Sequence, residues 1–139
     1  MPSAGTIFRL WFDDVWNQGK AEQISQYLSR DVVMHALDMN GADVRGPEGF
    51  QAFFRHLLEN FSGIHFTVHE VVEEGDMAAG RWTVRLTHSG DGFGIPATGE
   101  TVSISGMSMI RVANGQVVEA WDEWDRLRLA TACRMLAPV

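Results

Sequence analysis

The stretch VSISGMSMIRVANGQVVEAWDEW, residues 102–124, consists of two apolar-patterned runs hinged on Asn114-Gly115. In the first run Val102, Ile104, Gly106, Ser108, Ile110 and Val112 fall on alternate positions, the period of a strand that buries one face. Asn-Gly accepts the positive φ that both central residues of a tight hairpin turn require, so the dipeptide predicts a return through a second strand from Gln116 to about Trp124. That second strand ends in carboxylates set among tryptophans, Trp121-Asp122-Glu123-Trp124-Asp125. A carboxyl group walled by indole rings is poorly solvated, which disfavours its ionised form and raises its pKa toward the range useful for proton transfer. Asp122 is therefore the first candidate for a catalytic group.

Upstream the period of two continues. After a Gly75-Asp76 turn, Trp82, Val84, Leu86 and His88 share one strand face and Arg81, Thr83, Arg85 and Thr87 the other; before it, Ile64, Phe66 and Val68 alternate with His65, Thr67 and His69. The N-terminal half is helical in spacing. Phe8, Trp11, Phe12 and Val15 predict a helix from about Thr6 to Trp16, and Ile24, Tyr27 and Leu28 a shorter one. Pro47 opens a third, which carries Phe50, Phe53, Phe54, Leu57 and Phe61 to a stop at Ser62-Gly63. A short apolar strand is expected over Asp31–Ala36, a loop from Asp38 to Gly46, and a closing helix through Leu129, Ala132, Cys133 and Leu136. Helices first and antiparallel strands afterwards define an α+β domain, with helices on one face of a curved sheet that wraps a cavity. No repeat or linker divides the 139 residues, so a single domain over 1–139 is expected.

Composition excludes several function classes. The formal net charge is −7, with Arg126, Arg128 and Arg134 spread along the closing helix, which argues against a nucleic-acid surface. Cys133 is the only cysteine, so neither an intrachain disulfide nor a thiolate metal site can form. The five histidines lack the short spacing of a zinc motif, and no metal site is expected. No apolar run approaches the ~20 residues of a membrane span and the N-terminus does not read as a signal peptide, so a soluble cytoplasmic protein without membrane partners is expected. The glycine-rich loop Ser89–Pro96 joins two strands instead of a strand and a helix, so it is not a dinucleotide fingerprint; it reads either as a mobile flap whose Phe93 and Ile95 cover the pocket or as a simple exposed connection.

Each further candidate has a structural reading beside the functional one. His35 and His88 end their strands, where they either stand at a cavity mouth to orient a carbonyl or hydroxyl or are satisfied structural groups. Trp82 either lines a pocket for a flat substrate or is simply core. Asp122 is expected on a cavity-facing strand face with Val118, Ala120 and Trp124, the alternative being a pair with Arg81 or Arg111. Asp125 is placed to cap the closing helix. Ser108 has no His/Asp signature beside it, so a nucleophilic triad is not indicated.

Taken in order, Val15-Trp16-Asn17-Gln18-Gly19, Arg45-Gly46-Pro47-Glu48-Gly49-Phe50, Thr87-His88-Ser89-Gly90, Gly94-Ile95-Pro96-Ala97-Thr98-Gly99 and Asn114-Gly115-Gln116-Val117-Val118-Glu119 leading to Trp121 and Asp125 resemble the SnoaL-like polyketide cyclase family, within the group that shares the cone-shaped nuclear transport factor 2-like fold. The resemblance implies a cone-shaped α+β barrel enclosing a pocket. It further implies a cofactor-independent intramolecular aldol condensation on a hydrophobic, carbonyl-bearing small molecule, with an aspartate matching Asp122 as general acid/base. The substrate-binding set is then His35, Trp82, His88, Ser108 and Trp124. Ser108 stands where those cyclases carry a histidine, and a serine donates a hydrogen bond without supplying the charge of an imidazolium. Because the fold also hosts isomerases, dehydratases, epoxide hydrolases and non-catalytic binding or assembly modules, these are the alternatives. A homodimer joined through the outer sheet face is expected.

Overall fold

The computed structural model describes residues 2–135. Helices α1 (Ala4–Trp11), α2 (Ile24–Tyr27), α3 (Gly46–Asn60) and α4 (Arg126–Ala132) accompany six strands: β1 (Leu28–His35), β2 (Val44–Arg45), β3 (Phe61–Glu74), β4 (Met77–His88), β5 (Thr101–Ala113) and β6 (Gln116–Trp124). The strands form one sheet in the order β2-β1-β6-β5-β4-β3. Every neighbouring pair is antiparallel except β1 and β6, which run parallel. The sheet curves without closing, giving an open α+β cone. Leu136, expected on the last helix, lies outside the described residues.

The N-terminal helix starts earlier than its apolar spacing indicates because Ser3 caps it, its hydroxyl accepting the Thr6 N–H at 3.2 Å. After Trp11 the helical ladder widens into a π-helical stretch, Phe12–Asn17, in which Phe12, Val15 and Trp16 are all buried. Asn17 closes it with a second function: its side-chain amide donates to the Phe66 carbonyl (2.9 Å) and accepts the Phe66 N–H (2.7 Å). It thereby occupies backbone groups that edge strand β3 would otherwise leave open.

In α3, Pro47 sits in the first turn and Phe50, Phe53 and Phe54 are buried, packing edge-on against Trp16. Phe61, expected on this helix, is instead the first residue of β3. The expected loop from Asp38 to Gly46 contains the two-residue strand β2. Two glycines make room for aromatic rings on the inner sheet face. A Cβ on Gly80 would lie 2.5 Å from the Phe8 ring, and one on Gly106 would lie 2.4 Å from the Trp82 indole.

The β5–β6 hairpin turns through Asn114 (φ 53°) and Gly115 (φ 76°), both left-handed as a tight turn of this kind requires. A bulge follows: Val112 pairs with Val117 but Arg111 with Glu119, so Val118 is the extra residue. Val117, not Val118, thus takes the buried place, while Ala120, Asp122 and Trp124 keep the inward parity. No helix among the described residues is long and apolar enough to cross a membrane.

Candidate active site

Between the helices and the inner sheet face lies a cavity whose empty space, counted out to its open mouth, is about 650 Å³. Its walls are aromatic and aliphatic: Trp11, Phe12 and Trp16 from the first helical segment, Phe50 and Phe53 from α3, and Phe66, Trp82, Val84 and Ile104 from the sheet. Only Ser108 and Asp122 bring a hydroxyl or a carboxyl group to this lining.

These two residues face each other across the β5–β6 register, and Ser108 donates its hydroxyl proton to Asp122 Oδ1 at 2.7 Å. The direction of that bond is fixed by a third group. Trp82 Nε1 lies 3.0 Å from Ser108 Oγ, and an indole N–H can only donate, so the serine oxygen accepts from tryptophan and spends its proton on aspartate. Gly106 permits this geometry, since the bare backbone there is what the Trp82 ring lies against. Asp122 Oδ2, in contrast, is buried and has no hydrogen-bond partner.

Burial dominates the electrostatics of Asp122. With only 7 % of its surface exposed, the carboxyl is pushed up from an ordinary 3.8 to about 6 by desolvation, with Glu123 adding to the rise; the Ser108 hydrogen bond, the Arg126 charge and His35 oppose it. At neutral pH such a group is mostly ionised, by about ten to one at pH 7, yet takes up a proton readily. Arg81 and Arg111, its alternative partners, are committed elsewhere, to Glu70 (2.9 Å) and Asp76 (3.5 Å).

Trp82, Ser108 and Trp124 line the cavity with Asp122. His35 does not. Val32 and Met34 take the buried positions of β1, so His35 faces outward, where it stacks on Trp121 and lies 2.7 Å from Glu119 and 3.5 Å from Asp43. Its hydrogen bond to Glu119 raises its pKa above 6.5. His88 has the inward parity of Trp82 and Leu86 but sits beyond the cavity lining, fully buried between Phe61 and Phe93. Its Nδ1 accepts the Thr98 backbone N–H at 3.2 Å, which puts the proton of the neutral ring on Nε2, an atom without a partner.

The glycine-rich loop is tied down at two points. Asn60, itself buried, accepts the Gly92 N–H at 2.6 Å, and a Cβ on Gly90 would come within 2.3 Å of the Glu59 carbonyl oxygen. Close approach to the end of α3 thus accounts for two of its glycines. Phe93 packs on Phe61, His56 and His88, and neither it nor the half-buried Ile95 belongs to the cavity lining. Asp125 caps α4, accepting the Arg128 N–H at 3.0 Å. One residue that the sequence pattern did not single out is Arg126. Its guanidinium lies 4.8 Å over the Trp124 ring at the cavity wall, and its charge reaches Asp122. Among the described residues no group of three His, Cys, Asp or Glu side chains is placed to hold a metal ion.

An open nuclear transport factor 2-like cone around an apolar pocket with one buried carboxylate in its lining defines the class. The chain belongs to the SnoaL-like polyketide cyclase family, whose model matches residues 6–133. It is 26 % identical over 115 residues to the aklanonic acid methyl ester cyclase DnrD of Streptomyces peucetius, covering 82 % of this chain and 79 % of that one. Among solved structures it is similar to IdmH, a putative polyketide cyclase from Streptomyces antibioticus, with 27 % identity, a TM-score of 0.77, and coverage of 91 % of this chain and 94 % of the other. A putative polyketide cyclase from Acidithiobacillus ferrooxidans shares the fold at 22 % identity with a TM-score of 0.80 over 99 % of both chains.

Proposed function

We propose that this protein is a cofactor-independent acid/base enzyme acting on a hydrophobic, carbonyl-bearing small molecule, and that its reaction is an intramolecular aldol condensation. The observation that carries this reading is Asp122 Oδ2: a buried, unpartnered carboxylate oxygen on the wall of an apolar cavity, in a group with a pKa of about 6. The name of the Streptomyces peucetius relative, a cyclase of a polyketide methyl ester, gives the same direction.

In this mechanism Asp122 Oδ2 takes the proton from the carbon next to a carbonyl, leaving an enolate. The enolate carbon attacks a second carbonyl of the same molecule, and the carboxylic acid returns its proton to the oxygen that becomes the new hydroxyl. Ser108 does not assist the substrate oxygen, because its only proton is held by Asp122. It is a positioning residue that keeps Oδ1 engaged and Oδ2 free. Proton transfer by such a group is worth about 10²–10⁴-fold, and confinement of both reacting carbons in one cavity supplies much of the rest.

A second reading, a non-catalytic binding module, is favoured by that same serine: with its proton spent, the lining offers no hydroxyl or imidazolium to polarise a carbonyl. The two readings separate in D2O. Aklanonic acid methyl ester is incubated with the protein, and loss of its exchangeable carbon-bound proton and ring closure are followed by NMR. Catalysed exchange that falls by about 10²-fold or more in Asp122→Asn supports the enzyme; binding without any acceleration over buffer supports the module. The outer sheet face, where Met107 is 56 % and Met109 37 % exposed, supports association with a second copy through that face.

A further inference from the structure

Behind Trp124 lies a second concavity, which the chemistry of Asp122 does not use. Met39, Phe93, Leu127, Ala130 and Met135 give it mostly apolar walls, Asn40 adds a neutral amide, and Arg126 is the one charged residue among them. It stands back to back with the main cavity. Leu37 and Trp124 line the cavity, Met39 and Arg126 line the groove, and the wall between is pinned where Trp124 Nε1 donates to the Leu37 carbonyl at 3.1 Å.

Arg126 is held there without a direct ion pair, although its charge reaches Asp122. Its Nε donates to the Asp38 carbonyl at 2.9 Å and its guanidinium stacks over Trp124, yet Nη2 is buried without any hydrogen-bond partner. Among the described residues no carboxylate lies within 4.0 Å of it, although the chain carries 18 acidic side chains. A guanidinium stays charged at any working pH, and a buried N–H left without an acceptor is costly, so the group is set up for an acceptor that the described residues do not supply. An anionic oxygen is the strongest acceptor for such a fork. Met39 and Met135 are unbranched thioethers that can shift to let it in.

We propose that this groove is a ligand subsite in which Arg126 binds an anionic oxygen, a carboxylate or an acidic enol, carried on an apolar ligand. The inference goes beyond the reading of Asp122 and does not depend on it, because the wall through Leu37 and Trp124 separates the groove's ligand from the cavity.

The test uses the full-length protein, octanoate and its uncharged counterpart methyl octanoate, with binding read from tryptophan emission, since Trp124 lies under the guanidinium. Wild-type protein is expected to bind octanoate about tenfold or more tightly than the ester at low salt, a preference that shrinks as salt is raised. Arg126→Gln should bring octanoate down to the level of the ester, and Ala130→Trp, which fills the groove, should weaken it too. Equal binding of both probes by wild-type protein overturns the proposal without recourse to any variant, as does an Arg126→Gln protein that keeps the preference. Asp122→Asn separates the two readings. Retained octanoate preference with no carbon-acid exchange in either protein rejects the Asp122 mechanism and leaves the subsite standing; exchange that depends on Asp122 with no octanoate preference rejects the subsite alone.

Discussion

Replacing Asp122 by asparagine should make the protein more stable at neutral pH while removing its proposed activity. The rise of the carboxyl pKa from 3.8 to about 6 on folding means that holding the ionised form in the cavity wall costs roughly 3 kcal/mol. The sign follows from proton counting. Between about pH 4 and 6 the folded protein keeps this proton and the unfolded chain does not, so wild-type stability falls as pH rises through that window and levels off above it. Asparagine cannot ionise and escapes the penalty. Its Oδ1 still accepts from Ser108, but its amide N–H group replaces the unpartnered Oδ2 and gives back about 1–2 kcal/mol as a buried donor without an acceptor. The net expectation at pH 7.5 is a gain of about 1–2 kcal/mol, which shrinks and reverses as the pH is lowered to 4. Urea unfolding of both proteins across pH 4–7.5, compared at equal m-values, measures this directly. A stability difference that does not change with pH across that range would refute the reasoning, because it would mean that Asp122 is no harder to ionise in the folded state than in the unfolded chain.

Four other expectations follow from the structure. Ser108→Ala removes the hydrogen bond that holds the Asp122 pKa down and leaves the Trp82 indole N–H without its acceptor, so the carboxyl should titrate above about 6 by carbon-13 NMR and stability should fall by about 1–3 kcal/mol. Gly106→Ala places a Cβ 2.4 Å from the Trp82 indole and should cost about 1–3 kcal/mol and alter the near-ultraviolet dichroism of the tryptophans. Gly49→Ala is its control: in α3 the new methyl meets only Val44 at an ordinary 3.5 Å, and stability should rise by about 0.5–1 kcal/mol. On the outer face, the raised pKa of His35 contributes stability that is complete below 6.5 and is lost as pH rises through the folded value; Glu119→Gln should bring the proton NMR titration of His35 back toward 6.5, at a cost of a few tenths of a kcal/mol because the pair is half exposed.

The parts of this molecule that were legible in the sequence are those governed by local periodicity and turn chemistry. Asn114-Gly115 located the hairpin, the alternation along β4 and β5 put Trp82 and Ser108 on one face, and indole neighbours marked Asp122 as a carboxylate held from water. Where local pattern is degenerate, reading failed. Val32-Val33-Met34 is apolar at every position, so nothing in it revealed that Met34 faces the cavity and His35 the outside. The Val118 bulge shifts parity by one residue within a valine pair that looks the same either way. The π-helical widening after Trp11 conserves the apolar stripe that a regular helix would show. Arg126 was hidden for another reason: in Arg-Leu-Arg-Leu it reads as an ordinary helix cation, and its significance depends on Asp38, brought to it only by tertiary contact, and on the turn at Asp125 that lays its guanidinium over Trp124.

The one-way hydrogen bonding behind Asp122 bears on what becomes of a proton after it is abstracted. Trp82 can give but not take, so the chain from indole to serine to carboxylate cannot carry a proton away from the cavity toward the strand behind it. A proton captured on Oδ2 stands in a cul-de-sac whose only exit is the chamber that holds the ligand. Base and acid are then the same atom visited twice, and a proton lifted from the ligand's carbon leaves that atom only through the chamber, to the ligand's new oxygen or to water that enters by the mouth.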